Sequence, residues 1–347
     1  MHFPLLLTLS LPFLVASTPA VAARGGDVTV KQGQSIQKAI NNAKPNTRIV
    51  VQKGTYREQL LITKNGITLV GKEATLLPPS TLTNNTCTDL AGPGTNAGIC
   101  ITGKDVVPGP YPGSEHRDVL SISRPTRDIT ITGFTIANFA LNIATLGTDT
   151  TTLRSNTLLN ASSYGILSHF STSTLVKSNT ITTPVLSFIG ICTDDNGPSR
   201  VASNSVAGYG IGLCVQTNGA VYEDNKVVDA CAGAFIDPGI SARVVGNDIG
   251  PNNPDCLTAF GFVTGILIFG ANGTTVARNK VRDQRAGGQA AGIGLVDATQ
   301  FGVVARDNLV RGNVLTGNDV DIFVGSQGEG NVVRNNRCTT PAEFCGQ

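Results

Sequence analysis

A six-residue phrase recurs through the C-terminal two-thirds of this chain and sets what it can fold into. The phrase is an apolar residue, two variable residues, Asn, one variable residue and an apolar residue. Copies centre on Asn156, Asn179, Asn204, Asn225, Asn247 and Asn279, with looser copies on Asn308 and Asn336. A sustained period of this size means a solenoid, with each repeat forming one coil stacked on its neighbours. The units are short alternating runs of Val, Ile, Thr and Leu broken by Gly, Asn and Asp. That is strand-and-turn chemistry, not the stripe of helix-pair repeats. About 22 residues suffice for three short strands and three turns, and successive coils would pair as parallel strands about 4.8 Å apart. The recurring Asn has two readings. Its amides stack and hydrogen-bond along a column, or it serves because it tolerates left-handed turn dihedrals. Both predict a single-domain, all-β parallel β-helix.

The N-terminal part fits the same scheme. Ile36, Ala39, Ile40 and Ala43 lie at helical spacing after Ser35, a good N-cap, so a short helix over 35–43 is predicted to cover the open end of the solenoid. Strand-like runs follow at Arg48–Val51, Gln59–Ile62, Gly66–Val70 and Ala74–Leu77. The phrase Ile36-Gln-Lys-Ala-Ile40, followed by Gly54-Thr-Tyr-Arg-Glu58 and Gly66-Ile-Thr-Leu-Val-Gly71, resembles the cap and first coils of the pectin-lyase-like superfamily. That resemblance implies a right-handed coil over nearly all of the mature chain. It is specific for fold and carries little about activity, because many chemistries share the scaffold.

The apolar run Phe3 to Val15, followed by Ala20-Val-Ala22, reads as an export signal over 1–22, leaving 23–347 as the β-helix domain. Later apolar stretches are too short to span a membrane. Eight cysteines, an even number in an exported chain, predict four disulfides. Cys192 and Cys214 fall at nearly the same place on adjacent coils, within bridging distance. Cys87 with Cys100 and Cys338 with Cys345 are local closures, which leaves Cys231 with Cys256. The absence of a C-x-x-C pair argues against zinc. Asn84, Asn160 and Asn272 begin glycosylation sequons. A net charge of +2 gives no field for nucleic acid, and a monomer is expected. The Gly-, Pro-, Thr- and Asn-rich segment 78–117 reads as a disulfide-pinned loop projecting from one coil.

No motif fixes the chemistry, so register must. Counting ten residues back from each repeat anchor gives a column containing Leu146, His169, Asp194, Val215, Asp237, Phe269 and Ala298. His169 is the one histidine inside the repeats; His2 lies in the leader and His116 in the loop. A histidine beside a carboxylate is a common acid/base pair, because the carboxylate fixes the tautomer and raises the imidazole pKa. His169, Asp194 and Asp237, with the adjoining Asp195, are therefore the candidate catalytic residues, on a solvent-exposed face. Gln216 lies between the levels of Asp194 and Asp237. Tyr164, Tyr209 and Tyr222 are candidate stacking platforms, and Lys177 the nearby base for a substrate contact. The bland reading is that Asp and Asn merely suit turns.

The superfamily resemblance implies polysaccharide substrates. Polygalacturonase-like members carry an Asp-Asp pair with a further Asp and a His, which Asp194, Asp195, Asp237 and His169 would match. The Asn-Thr-Asp, Gly-His-Gly and Arg-x-Lys phrases of those enzymes are absent. No cofactor is expected, although Asp194, Asp195 and Asp237 would suit calcium if they converged. The expectation is a secreted lyase or hydrolase cleaving an extended polysaccharide by acid/base chemistry. A non-catalytic glycan-binding or surface protein, and a tailoring enzyme acting on a small molecule, are the rivals.

Overall fold

The computed structural model describes residues 25–346; the expected leader, 1–22, lies outside the described residues. Short strands wind into a right-handed parallel β-helix that carries about half of the residues in strands. Each regular coil contributes one strand to each of three faces. One coil, for example, runs through Thr148–Arg154, Thr157–Leu159 and Tyr164–His169. Each strand pairs in parallel with the equivalent strand of the next coil, as Leu153 does with Val176 and Leu158 with Ile181. Val, Ile and Leu from all three faces fill the interior as one continuous core from Val30 to Ile322.

The asparagine column is real, and it is a ladder. The side-chain amide of Asn156 donates to Asn179 Oδ1 (3.1 Å), Asn179 to Asn204 (3.0 Å), Asn204 to Asn225 (2.9 Å) and Asn225 to Asn247 (2.9 Å). Asn279, Asn313 and Asn336 continue it. Each Oδ1 also accepts the backbone N–H of the preceding asparagine, as Asn225 does from Asn204. The left-handed residue of the turn is the one before: Ser155, Ser178, Ser203 and Asp224 have φ of 54–56°. The dihedral reading of the asparagines therefore fails, and the amide-stacking reading holds. One anchor is corrected. Asn308 belongs to a second, shorter column, where its amide donates to Asn331 Oδ1 (2.9 Å). The main column passes through Asn313 instead.

The predicted cap forms as a helix over Ile36–Asn42, with the Ser35 hydroxyl accepting from Lys38 N. Glu58, two coil strands away, accepts from Ile36 N and Gln37 N and ties the helix start down. Ile36 and Ile40 plug the end of the core. All four disulfides pair as expected, and Cys192 and Cys214 are direct ladder partners with Cα atoms 4.5 Å apart. No described helix is long and apolar enough to cross a membrane.

The projecting segment differs from its predicted boundaries. Ala97–Thr102 is a fully buried coil strand, paired with Leu60–Ile62 and Leu141–Leu146, so it divides the segment into two loops. Its alternating core residues were hidden by loop-like flanks. The first loop is pinned to that strand by Cys87–Cys100. The second runs from 103 to 125, carries a small antiparallel pair (Val107–Pro108 with Val119–Ser121), and folds over one face of the helix. Beneath the loops lies an outer apolar cluster that includes Val119, Leu146, Leu167 and Tyr164.

Candidate functional site

The face beneath the second loop is built from the strands Leu141–Leu146, Tyr164–His169, Thr180–Asp194, Ser205–Val215, Ala232–Ile236 and Thr264–Phe269. The ladder pairs Leu146 with His169 and His169 with Asp194, as the register reading expected. Val215 pairs with Ile236. The outward positions one residue on are then Gln216 and Asp237. Gln216 thus takes the place assigned to Val215, and Val296 pairs with Phe269 in place of Ala298.

His169 Nδ1 lies 2.8 Å from Asp194 Oδ2 and 3.0 Å from the Asp194 carbonyl oxygen. Both neighbours are acceptors, so Nδ1 carries the proton and donates. That leaves Nε2, which is buried without a hydrogen-bond partner and faces Asp118 Oδ1 at 4.0 Å. The expected exposure of His169 is corrected: its side chain is 3% exposed, because the second loop roofs it.

The roof supplies the residue that register could not find. His116 is buried with its ring centroid 4.4 Å from that of His169, and its Nε2 lies 3.6 Å from Asp194 Oδ2. Gln216 bridges the other half of the site. Its amide nitrogen donates to Glu115 Oε2 and to Asp237 Oδ2, each at 2.6 Å, which orients its Oε1 toward His116 Nε2 at 3.3 Å. Glu115, His116 and Asp118 form an acid-His-x-acid cluster inside the loop, a signal that was legible but was passed over because it lay outside the repeat.

The environment pulls these groups apart in pKa. Burial lowers His169, but the hydrogen bond and charge of Asp194 outweigh it and hold the imidazole above its ordinary value. Burial and the charge of His169 hold His116 below its own. Burial raises Asp194, yet its contacts with His169 and His116 prevail and keep it below the usual carboxylate range. Asp237 goes the other way. Burial, with Glu115 and Asp194 nearby, pushes it up to about 7, against the lowering effect of Gln216.

Other predicted site residues sit elsewhere. Asp195 points into the coil interior, because adjacent residues on a strand face opposite sides. There it accepts from Ser168 Oγ (2.8 Å), Ser199 Oγ (2.6 Å) and Ser171 N (3.2 Å). It therefore cannot join Asp194 and Asp237 on one ion. Tyr164, Tyr209 and Tyr222 are fully buried and offer no stacking platform. Tyr164 lies under His116, and the Tyr222 hydroxyl donates to the Cys214 carbonyl. Lys177 is exposed on a different face, level with Arg154 and Ala202. Of the sequon residues, Asn84 and Asn160 are exposed and Asn272 is half-buried.

His116 and four acidic side chains line a cleft of about 610 Å³, and His169 packs against two of them, His116 and Asp194. One wall carries Glu115, His116, Asp118, Asp194 and Asp237; the other carries Phe235, Phe269 and Phe301. Phe235 and Phe269 have centroids 5.6 Å apart, and Phe269 and Phe301 6.3 Å. Ligand atoms of His116, His169 and Asp194 lie within 4.8 Å of one another. By distance alone that trio admits a transition metal. As arranged here, however, the hydrogen bond from His169 Nδ1 to Asp194 Oδ2 occupies two of the close ligand atoms, and His169 Nε2 faces Asp118.

Residues 111–259 match the sequence profile of a family described as periplasmic copper-binding protein (NosD). No curated protein matches the sequence. Among solved structures, the chain is similar to an alginate lyase from Paenibacillus sp. (TM-score 0.56, 14% identity, 88% of this chain and 99% of that one). It is also similar to a mannuronan C-5 epimerase module from Azotobacter vinelandii (TM-score 0.56, 15% identity, 87% and 92%). A polygalacturonase from Erwinia carotovora matches at TM-score 0.55 and 13% identity, over 94% and 98%. These neighbours share the fold, and they are polysaccharide-active enzymes.

Proposed function

For a chain with the right-handed parallel β-helix of the pectin-lyase-like superfamily, we propose an exported glycoside hydrolase, with 1–22 as its leader and Glu115, His116, His169, Asp194, Gln216 and Asp237 as its working site. The observation that carries this is a pair of differently tuned groups, Asp237 on the cleft wall and His169 packed against Asp194 and His116, which line it. Asp237 is a carboxylic acid held protonated up to about pH 7. His169 is an imidazole whose tautomer is fixed by Asp194 and whose Nε2 is free. Titratable groups with environments set for opposite tasks mark acid/base assignments. Asp237 donates a proton to the leaving glycosidic oxygen, and His169 Nε2 takes one from the attacking water. Asp194 and Gln216 are positioning residues. Hydrolysis is favoured over lyase or epimerase chemistry because, among the described residues, no Lys or Arg lines the cleft to neutralise a uronate carboxylate. Four disulfides fit an exported environment.

The test is the pH dependence of turnover on a cleaved glycan. The base must be unprotonated, so activity falls as pH drops through the raised His169 value, above 6.5. The acid must be protonated, so activity falls as pH rises through about 7. A narrow bell near neutrality is expected, and Asp237→Asn should remove its alkaline limb together with most of the rate. A profile flat from pH 5 to pH 9 would refute the assignment. Chelator treatment should leave the rate unchanged. Loss of activity, restored by copper or zinc, would favour a metal at His116, His169 and Asp194 instead.

A further inference from the structure

We propose that the cleft binds a glycan whose sugars carry free amino groups and excludes polyuronates; the chemistry done on that glycan rests on the hydrolytic reading above. The first ground is charge. Four acidic side chains line the cleft, and among the described residues neither lysine nor arginine does. The chain as a whole carries +2, so the acidity is local. Among the described residues, Asp118 has no cationic neighbour but His169 at 4.0 Å, and it stands 84% exposed at the rim. Glu115 and Asp237 instead share one neutral amide. A polyuronate would add one carboxylate per sugar to this wall, at a cost that grows with every subsite. An ammonium group gains from the same field.

The second ground is independent of charge. His169 Nε2 is buried and without a hydrogen-bond partner, 4.0 Å from Asp118 Oδ1 of the cleft wall, an unpaired polar atom beside the place proposed for the ammonium group. The third is the opposite wall. Phe301 is 66% exposed, on a one-turn 3-10 helix (Thr299–Phe301), and it packs edge-on to Phe269. An amino sugar held here would lay its C–H face on Phe301 and Phe269 and turn its ammonium toward Asp118. That combines apolar packing on the aromatic faces with a charge-assisted hydrogen bond. The uronate substrates named for the structural neighbours do not transfer, because sites vary on one fold.

The test is calorimetric binding of three hexamers: glucosamine, N-acetylglucosamine and galacturonate. The glucosamine hexamer should bind about ten-fold or more tighter than its acetylated form, and its affinity should fall as salt is raised. The galacturonate hexamer should not bind. Asp118→Asn and Phe301→Ala should each weaken glucosamine-hexamer binding by about five-fold, with melting temperature unchanged. Equal affinity for the acetylated form, indifference to salt, or tighter binding of the uronate would overturn the proposal. Salt-sensitive binding without cleavage would leave it standing and sink the hydrolytic reading. Cleavage of a neutral or uronic glycan without affinity for the amino one would do the reverse.

Discussion

Replacing His169 by alanine should lower turnover by about 10²- to 10⁴-fold, the usual contribution of a positioned general base. Asp194→Asn should cost nearly as much by a different route. The asparagine amide can present a donor to Nδ1 and so favour the other tautomer, which would place a hydrogen on Nε2 where a lone pair is needed. The two variants are distinguishable. His169→Ala removes the acid limb of the pH profile, whereas Asp194→Asn moves that limb to lower pH, because Asp194 is what raises the imidazole. Asp194→Asn is also the cleaner variant for stability. His169 is packed under the roof, so its truncation leaves a cavity, whereas Asp194 is one-third exposed and changes little in shape. Full turnover in either variant would remove the pair from the mechanism.

The second large effect is on the fold. Asn225 donates to the Val201 carbonyl and to Asn247 Oδ1, and it accepts from both the backbone and the side-chain nitrogen of Asn204, all at 2.9 Å. It is buried. Asn225→Ala strands donors and acceptors on the coils on either side, where no water reaches them, and should destabilise the protein by about 3 kcal/mol or more. The matched control is Asn160→Gly. Asn160 is exposed, holds a φ of 53° that glycine adopts freely, and spends its amide on Asn138 alone, so its loss should cost about 0.5 kcal/mol or less. Urea titration of the two variants checks this. Equal midpoints would mean that the column is decoration on a fold held by its apolar core.

The period, the cap and the disulfides were legible because each is a local signal repeated or closed at fixed spacing. The ladder register followed from the asparagines as far as the coil of Asn279. It then slipped, because Asn308 fits the loose phrase while a second column claims it, and Asn313 went unread. The candidate column was legible in part for the same reason: His169 and Asp194 are ladder partners. Asp195 was misplaced because sequence adjacency on a strand means opposite faces. Its carboxylate satisfies three donors inside the coil. The tyrosines were misjudged because an aromatic in a repeat has two sides to choose from, and here each is buried, Tyr209 and Tyr222 within the coil and Tyr164 under the loops. His116 could not be placed by register. It reaches the site through a loop about a hundred residues away in sequence from Gln216, its partner there.

Two histidines in contact are tuned in opposite directions: Asp194 raises His169, while burial and the charge of His169 lower His116. His116 and His169 are the two histidines among the described residues, so imidazole NMR reads them directly. Titrated across neutral pH, the protein should show one ring protonating above the ordinary histidine value and the other below it. The higher transition should vanish in His169→Gln and the lower in His116→Gln, and Asp194→Asn should bring the higher one down. Two rings titrating together at the unperturbed value of about 6.5, or His116 as the more basic of the pair, would contradict the account.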